Sequence, residues 1–174
     1  MTAGEAKSVP LDSQSLKSVA PAQIGAAASK LFAASVGDIV IVLSRSTAHK
    51  HYSLADIEWM VLSPVTLGQF YVVETSHKDH GFTAPVAFVT WAFVSEEVDR
   101  RLEQQTTRPV RLRPDEWKNG HVGWLIDAVG SPAMLRPALQ WLKSGLFKER
   151  PLKLLRSDES GKTRVETLDD LMSA

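Results

Sequence analysis

Two histidines and one aspartate are the side chains of this sequence best suited to acid–base chemistry. His49 and His51 lie in the segment Ser46-Thr-Ala-His-Lys-His-Tyr52, directly before a predicted helix. Imidazole titrates near neutral pH, so it can accept a proton from an amine and return one to a leaving group. The simpler alternative is that both histidines are exposed loop residues without a chemical role.

Asp127 is the second candidate, because it lies inside the apolar run Trp124-Leu-Ile-Asp-Ala-Val129. The alternation of side chains along a strand predicts that it shares a face with Leu125 and opposes Ile126. A carboxylate among apolar residues is costly to bury unless it is paired, which makes it a candidate functional group. A structural ion pair with an arginine is the alternative explanation.

The elements that must position these side chains are predicted from hydrophobic periodicity and turn residues. We expect a flexible N-terminal tail over residues 1–21 and one domain over residues 22–174. Helices are predicted at 22–34, 53–68, 95–105 and 132–143. Strands are predicted at 69–74, 85–93, 123–129, 151–156 and 162–168, with turns at 77–81 and 158–161. Interleaved strands and helices with short turns indicate an α/β or α+β fold with a mixed sheet.

The composition excludes several kinds of function. The 20 basic residues balance 20 acidic ones, so the overall charge does not indicate a nucleic-acid-binding protein. The absence of cysteine excludes disulfides and thiolate chemistry. We find no secretory signal, and the longest apolar run, 39–43, is too short to span a bilayer. We therefore expect a cytoplasmic protein without stable membrane insertion.

A metal site is not expected from the five histidines. They are scattered along the chain at positions 49, 51, 77, 80 and 121, and no His-Glu-x-x-His helix motif occurs.

The segment 37–43, Gly-Asp-Ile-Val-Ile-Val-Leu, has the pattern of a strand. It is short, β-branched and preceded by glycine, which is typical of a buried strand.

Four segments, in order, resemble the RTX toxin-activating acyltransferases of the haemolysin-activator type. Where that family has Ser-x-x-His-Arg-x-Trp, this chain has Ser46-x-x-His49-Lys50-x-Tyr52. Residues 85–95 resemble the family strand Pro-Val-x-Tyr-x-Ser-Trp-Ala-x-Leu-Ser, and residues 116–120 its acidic-residue-Trp-x-x-Gly segment. Residues 124–127 resemble its Trp-Phe-Ile-Asp. Each motif alone is weakly specific, but four in register over roughly residues 24–161 are specific.

The resemblance implies a fold similar to the GNAT acetyltransferases, with a mixed, mostly antiparallel sheet flanked by helices. It also implies an enzyme that moves a fatty acyl group from acyl carrier protein to internal lysines of an RTX protoxin. The family's essential histidine falls on His49 and its catalytic aspartate on Asp127, and Ser46, Trp91 and Trp124 become candidate substrate-binding residues. Direct transfer with His49 as general base is the expected mechanism, with an acyl-histidine intermediate as the other form.

The resemblance further implies that segment 37–43 is helical, so we predict a helix there against its local propensity. No coenzyme A loop of the form Gln/Arg-x-x-Gly-x-Gly/Ala is present, which fits acyl carrier protein as the carrier of the donor group, with no bound cofactor. Because acyl carrier protein is acidic, Arg108, Arg111 and Arg113 are candidates for its binding patch. A solvated charged face is the simpler interpretation, and a homodimer is left open.

Departures from the family pattern fall near the expected acyl site. Lys50 and Tyr52 replace Arg and Trp, Ala128 replaces Trp, and residues 129–133 replace an Ala-Pro-Phe-Gly segment. Two other functions stay open at this point. One is an acyltransferase whose acceptor is not a toxin, and the other is a non-catalytic binding module that uses the five tryptophans.

Overall fold

Five strands form one sheet in the part of the chain that the computed structural model describes, residues 21–76, 81–105, 109–157 and 163–173. The strands are β1 (Phe70–Ser76), β2 (Thr83–Val94), β3 (Val122–Val129), β4 (Leu152–Ser157) and β5 (Thr163–Thr167). They lie side by side in chain order. All neighbours are antiparallel except β3 and β4, which are parallel. The predicted mixed, mostly antiparallel sheet is confirmed.

The helices are α1 (Pro21–Arg45), α2 (Leu54–Ile57), α3 (Ser63–Leu67), α4 (Glu96–Glu103), α5 (Pro132–Ser144) and α6 (Leu168–Ser173). A π-helical segment, Glu58–Leu62, joins α2 to α3, and a single 3₁₀ turn spans Pro114–Glu116. The helix predicted at 53–68 is therefore present, but its middle turn is wider than an α-helix. Ser95 caps α4 as predicted, because its hydroxyl accepts the N–H of Val98 at 3.3 Å.

Helices cover both faces of the sheet around β2. Val89 and Trp91 pack in an apolar cluster with α5 and α6, whereas Phe88 packs in a cluster with α1 and α3. Ala92 and Val94 belong to a third cluster that includes α4. Because both of its faces are covered, β2 is a nearly continuous apolar run instead of an alternating one.

Segment 37–43 is helical, as the family resemblance predicted. It is the C-terminal part of α1, continuous with the helix predicted at 22–34. Ile39, Val42 and Leu43 are buried against the sheet and the π-helical segment, whereas Val40 and Ile41 are exposed. The burial of one helical face outweighs the β propensity of these branched residues, because packing contributes most of a helix's stability in a protein.

The stretch Gly25–Arg45 of α1 is the described helix whose length and apolar composition would suffice to cross a bilayer. This exceeds the short run at 39–43 that the sequence suggested. Core helices of soluble proteins and signal sequences can share this length and composition, but core helices are mostly buried, whereas 17% of this stretch is buried. Of the predicted tail only Pro21 lies within the described residues. Residues 77–80 and 158–161, which hold the two predicted turns, lie outside them.

Candidate functional site

The structure brings His49 and Asp127 together from distant parts of the chain. His49 Nε2 lies 3.4 Å from Asp127 Oδ2, and the two side chains are 15% and 14% exposed. On the other side of the ring, His49 Nδ1 lies 2.8 Å from the Ser46 hydroxyl oxygen. The three side chains form a continuous Ser46–His49–Asp127 chain of polar contacts.

A tight turn at the end of α1 positions His49. The N–H of His49 donates to Ser46 O at 3.1 Å, and the N–H of Tyr52 donates to His49 O at 2.9 Å. Arg45, the last residue of α1, donates to Pro85 O at 3.1 Å and so ties the helix end to β2. The backbone around the imidazole is therefore held by hydrogen bonds on both sides of the residue.

A β-bulge positions Asp127. In the pairing of β2 with β3, Thr90 faces Asp127 but Trp91 faces Leu125, so Ile126 is an additional residue in β3. The prediction that Asp127 shares a face with Leu125 and opposes Ile126 is therefore wrong, because the extra residue interrupts the alternation of side chains. Ile126 and Asp127 line the same cleft, while Leu125 packs in the cluster with α5. Bulges of this kind commonly re-aim a side chain beside a site.

A cleft of about 300 Å³ with a mixed polar and apolar surface, here called the apolar cleft for its aliphatic and aromatic side chains, opens at the His49–Asp127 pair. Most of its lining side chains are aliphatic or aromatic, and they come from the turn after α1, the π-helical segment, the loop before the 3₁₀ turn, β2 and β3. The lining residues are Ala48, His49, Tyr52, Trp59, Met60, Thr90, Pro109, Val110, Ile126, Asp127 and Ala128. Tyr52 and Ala128, which depart from the family pattern, are among them.

A second cleft, of about 350 Å³, contains Ser46 but not His49. It is lined by Val42, Arg45, Ser46, Thr47, Val86, Val129, Gly130 and Ser131. Residues 129–131, which belong to the segment that differs from the family pattern, therefore line this cleft. The polar chain of contacts runs from the apolar cleft at Asp127 to the second cleft at Ser46.

The geometry decides which imidazole nitrogen can act as a base. An ionised carboxylate only accepts hydrogen bonds, so in the neutral imidazole Nε2 carries the proton toward Asp127. The lone pair of Nδ1 then accepts the hydroxyl hydrogen of Ser46. The 3.4 Å contact is an ion-pair distance and is longer than most N–H···O hydrogen bonds. Such an arrangement can remove a proton from a group that approaches Nδ1.

The two tryptophans predicted to bind substrate pack in the cores instead of lining either cleft. Trp91 is 4% exposed and lies in the cluster with α5. Trp124 is fully buried, and its indole N–H donates to Asp99 Oδ1 at 2.7 Å. Asp99 in turn accepts from Lys153 at 2.9 Å. Packing explains the burial of Trp91 and Trp124, because large aromatic side chains contribute most to a core.

The arginines predicted to bind acyl carrier protein have different surroundings. Arg111 lies over the Trp59 ring at 4.8 Å from its centroid and 3.5 Å from Asp56 Oδ1, so it stands beside the wall of the apolar cleft. Arg113 is engaged with Glu116, Nη2 to Oε1 at 3.0 Å. Arg108 lies outside the described residues. Hydrogen bonds from Ser53 hold the pKa of the Asp56 carboxyl below its usual value, so Asp56 stays ionised beside Arg111.

Sequence reasoning missed the structural role of Glu116. Its side chain is 1% exposed and accepts two hydrogen bonds from Arg101, at 2.8 and 2.7 Å. These bonds lower the pKa of the Glu116 carboxyl and raise that of Arg101. Gly120 belongs to the same motif, and a Cβ there would lie 2.2 Å from Val94 O. The motif at 116–120 therefore carries core structure and no part of the cleft.

Across the described ranges, no group of three His, Cys, Asp or Glu side chains could hold a metal ion. His77 and His80 fall outside those ranges. The buried carboxylate of Glu116 pairs with Arg101, and the carboxylate of Asp127 faces His49. Nothing in the described site therefore provides a donor set for a cation.

Comparison with known proteins agrees with the motifs. Residues 29–168 match the model of the family described as HlyC, RTX toxin acyltransferase. The Synechocystis protein sll0720, described as uncharacterized, is 24% identical over 127 residues, which cover 73% of this chain and 82% of that protein. The lysine-acyltransferase RtxC of Vibrio cholerae is 28% identical over 85 residues, about half of each chain. The matched family region contains Ser46, His49, Thr90 and Asp127.

Proposed function

This chain belongs to the RTX toxin acyltransferase family, and we propose that it transfers a fatty acyl group from acyl carrier protein to the ε-amino group of internal lysines of an RTX protoxin. Family membership supports acyltransferase activity, and RtxC is described as a lysine-acyltransferase. The observation that carries the proposal is the His49–Asp127 contact at an apolar cleft. We assign the reaction to the cytoplasm, where acyl carrier protein is found.

His49 supplies the base in this proposal. A lysine side chain is protonated at neutral pH, because its pKa is about 10.4, and the ammonium is not a nucleophile. Nδ1 of His49 takes a proton from the ammonium, the free amine attacks the thioester carbonyl carbon, and the nitrogen releases its second surplus proton to solvent as the amide forms. The C–N bond forms, the C–S bond breaks, and the departing sulfur takes up the proton that the imidazolium returns. Asp127 stabilises the imidazolium during the step.

Ser46 lies where the lysine would approach. Its hydroxyl occupies the lone pair of Nδ1, and it lines the second cleft together with Arg45 and Ser131. We assign the second cleft to the acceptor segment and the apolar cleft to the acyl chain. The two substrates then reach the imidazole from different clefts, and the amine replaces the Ser46 hydroxyl at Nδ1.

The short pairing between the two parallel strands supports a carrier-bound donor. The pairing of β3 with β4 spans only Gly123–Leu152 to Leu125–Leu154, and β3 continues beyond it to Asp127 and Val129. Backbone groups at such an edge can bond the amides of an extended ligand, as in strand addition. The phosphopantetheine arm of acyl carrier protein has amides of this kind. Arg111, beside the cleft wall, offers a cation to the acidic carrier.

Replacing His49 tests the proposal. With a candidate RTX protoxin and acyl carrier protein, we expect intact-mass analysis to find acylated lysines for the wild type. His49→Ala should lower the rate by about 10²-fold or more while the fold is kept, because general base catalysis is lost. His51→Ala is the matched control, since His51 is exposed and two residues away.

Three results of this experiment would count against the assignment. Transfer by His49→Ala at the wild-type rate would exclude His49 as the base. No acylation by the wild type, with a functional donor and protoxin, would exclude the toxin as acceptor. Acylation of another protein after a cytoplasmic extract is added to the mixture would then identify an acyltransferase with a non-toxin acceptor.

A further inference from the structure

Thr90 has a buried hydroxyl group without a hydrogen-bond partner. The residue is 1% exposed, and its Oγ1 atom has no partner in the structure. Buried hydroxyls are almost always hydrogen-bonded, because the loss of water contacts is otherwise uncompensated. An unpaired buried group is therefore a feature that a bound ligand can explain.

The position of Thr90 points to the same reaction site. Thr90 is the direct cross-strand partner of Asp127, at the edge of the bulge in β2–β3. Side chains of directly paired residues lie on the same face of a sheet, with Cβ atoms about 5 Å apart. Both residues line the apolar cleft that also contains His49. The Thr90 side chain is thus adjacent to the carboxylate that faces the imidazole.

Other hydrogen-bond donors around the cleft are already engaged within the protein. The Trp59 indole N–H donates to Asp56 Oδ1 at 3.2 Å, and the Ala128 N–H donates to Asp127 Oδ1 at 3.0 Å. In the second cleft, the Ser46 hydroxyl oxygen is already within hydrogen-bond distance of His49 Nδ1, at 2.8 Å. The Thr90 hydroxyl is uncommitted, so it can bind a substrate oxygen without breaking an existing bond.

We propose that Thr90 is a further catalytic residue, whose hydroxyl donates a hydrogen bond to the carbonyl oxygen of the acyl thioester; this rests on the proposed acyl transfer. When the lysine nitrogen attacks, the carbonyl π electrons move onto oxygen, and the negative charge develops next to the donor. The electrons return to re-form the carbonyl as the C–S bond breaks. A donor held in place by the fold stabilises this charge more than water does, because it does not have to reorient during the reaction.

A pair of substitutions separates this role from a structural one. Thr90→Val keeps the shape and removes the hydroxyl, and Thr90→Ser keeps the hydroxyl. We expect Thr90→Val to lower kcat by about 10²-fold with little change in KM, as for the loss of one oxyanion donor. Its Tm should be equal to or higher than that of the wild type, because an unpaired polar group has been removed. Thr90→Ser should restore most of kcat.

A spectroscopic readout makes the test independent of turnover. Acyl carrier protein loaded with a carbon-13 carbonyl acyl thioester is bound to His49→Ala, which cannot turn over, and to His49→Ala with Thr90→Val. We expect the carbonyl stretch in the infrared to be lowered on binding to the first and to return toward its unbound frequency in the second. A hydrogen bond to the carbonyl oxygen is what such a shift reports.

The outcomes separate this inference from the proposed function. Wild-type kcat in Thr90→Val, or the same carbonyl frequency in both bound proteins, overturns the role of Thr90 and leaves acyl transfer intact. A lowered Tm in Thr90→Val with kcat unchanged would mean that the hydroxyl stabilises the fold, and this result also overturns its catalytic role. If the wild type neither binds the acyl carrier protein thioester nor acylates the protoxin, the proposed function is overturned, and the role of Thr90 with it.

Discussion

The contact between His49 and Asp127 determines the protonation pattern of the imidazole. With Nε2 directed at a carboxylate and Nδ1 at a hydroxyl, the neutral ring has its lone pair on the side of Ser46. The same carboxylate favours the charged ring once a proton is taken up. Both effects depend on one residue, so Asp127 can be tested separately from His49.

Asp127→Asn should lower kcat by about 10²-fold or more, because the amide can present its NH₂ group to Nε2 and select the wrong tautomer. KM should change little, since the cleft keeps its shape. Steady-state kinetics with acyl carrier protein thioester measures both values, and circular dichroism checks the fold. Wild-type kcat in this variant would mean that Asp127 is a structural partner of His49.

At the scale of elements, two irregularities shape the site. The bulge in β3 directs Ile126 and Asp127 into one cleft, and the π-helical segment brings Trp59 and Met60 to its wall. Both are single-turn or single-residue departures from regular geometry, and both occur where the cleft is formed. Such departures are frequent at functional sites because they re-aim side chains without changing the fold.

Met60→Ala should enlarge the apolar cleft and shift the preference toward longer acyl chains. Met60 is 3% exposed and lines the cleft. Each additional methylene that the cleft buries adds about 0.8 kcal/mol, which is a rate preference of about fourfold. Competition between acyl carrier proteins with different chains, followed by mass analysis of the product, measures the ratio.

Met60→Leu is the matched control, because it keeps the side-chain volume. It should retain the wild-type chain preference. An unchanged preference in Met60→Ala would show that the acyl chain does not occupy this cleft, and it would count against the assignment of the two clefts. The loss of stability expected from truncating a buried Met, about 2–5 kcal/mol, is measured by urea unfolding of the same protein.

At the scale of the whole molecule, the motifs that reveal the family have two different physical roles. Ser46, His49 and Asp127 lie at the candidate site, whereas Glu116, Trp117 and Gly120 hold β2 and α4 together. Trp117 is fully buried, and its carbonyl accepts the N–H of Phe93 in β2 at 2.9 Å. The buried carboxylate of Glu116 links Arg101 of α4 to the 3₁₀ turn. The loss of stability at acid pH is therefore expected to involve a motif outside the cleft.

Glu116→Gln should destabilise the protein by about 1–3 kcal/mol at neutral pH, because hydrogen bonds to an ionised group are lost. The folded pKa of Glu116 lies below its ordinary value of 4.5. The carboxylate thus stabilises the fold fully above about pH 4.5, and this contribution disappears as the pH falls through the folded pKa. Urea unfolding of both proteins across this range measures the difference.

The gap in unfolding free energy between wild type and Glu116→Gln should narrow as the pH is lowered. A gap that is constant from neutral to acid pH would mean that the charge of Glu116 does not contribute. Glu103→Gln provides a comparison, since Glu103 is 44% exposed and binds Lys153 at the surface. Surface ion pairs contribute little, so its effect should be small at every pH.

The sequence by itself determined the fold class, the approximate limits of the strands and helices, and the two residues that meet at the cleft. Periodicity and turn residues report how each element is buried, and the motif order identified the family. Periodicity alone was wrong for 37–43, where α1 buries Ile39 and Leu43 against the sheet. Here the resemblance supplied what local propensity could not.

Only the tertiary structure decided how the elements combine. It revealed the bulge that turns Asp127 toward His49, the unpaired hydroxyl of Thr90, the burial of Glu116 and the core positions of Trp91 and Trp124. Each of these depends on which residue stands opposite another across two strands or two layers. The sequence pattern of one strand or helix does not specify its partner. Register and cross-strand pairing are therefore defined only when the elements are packed together.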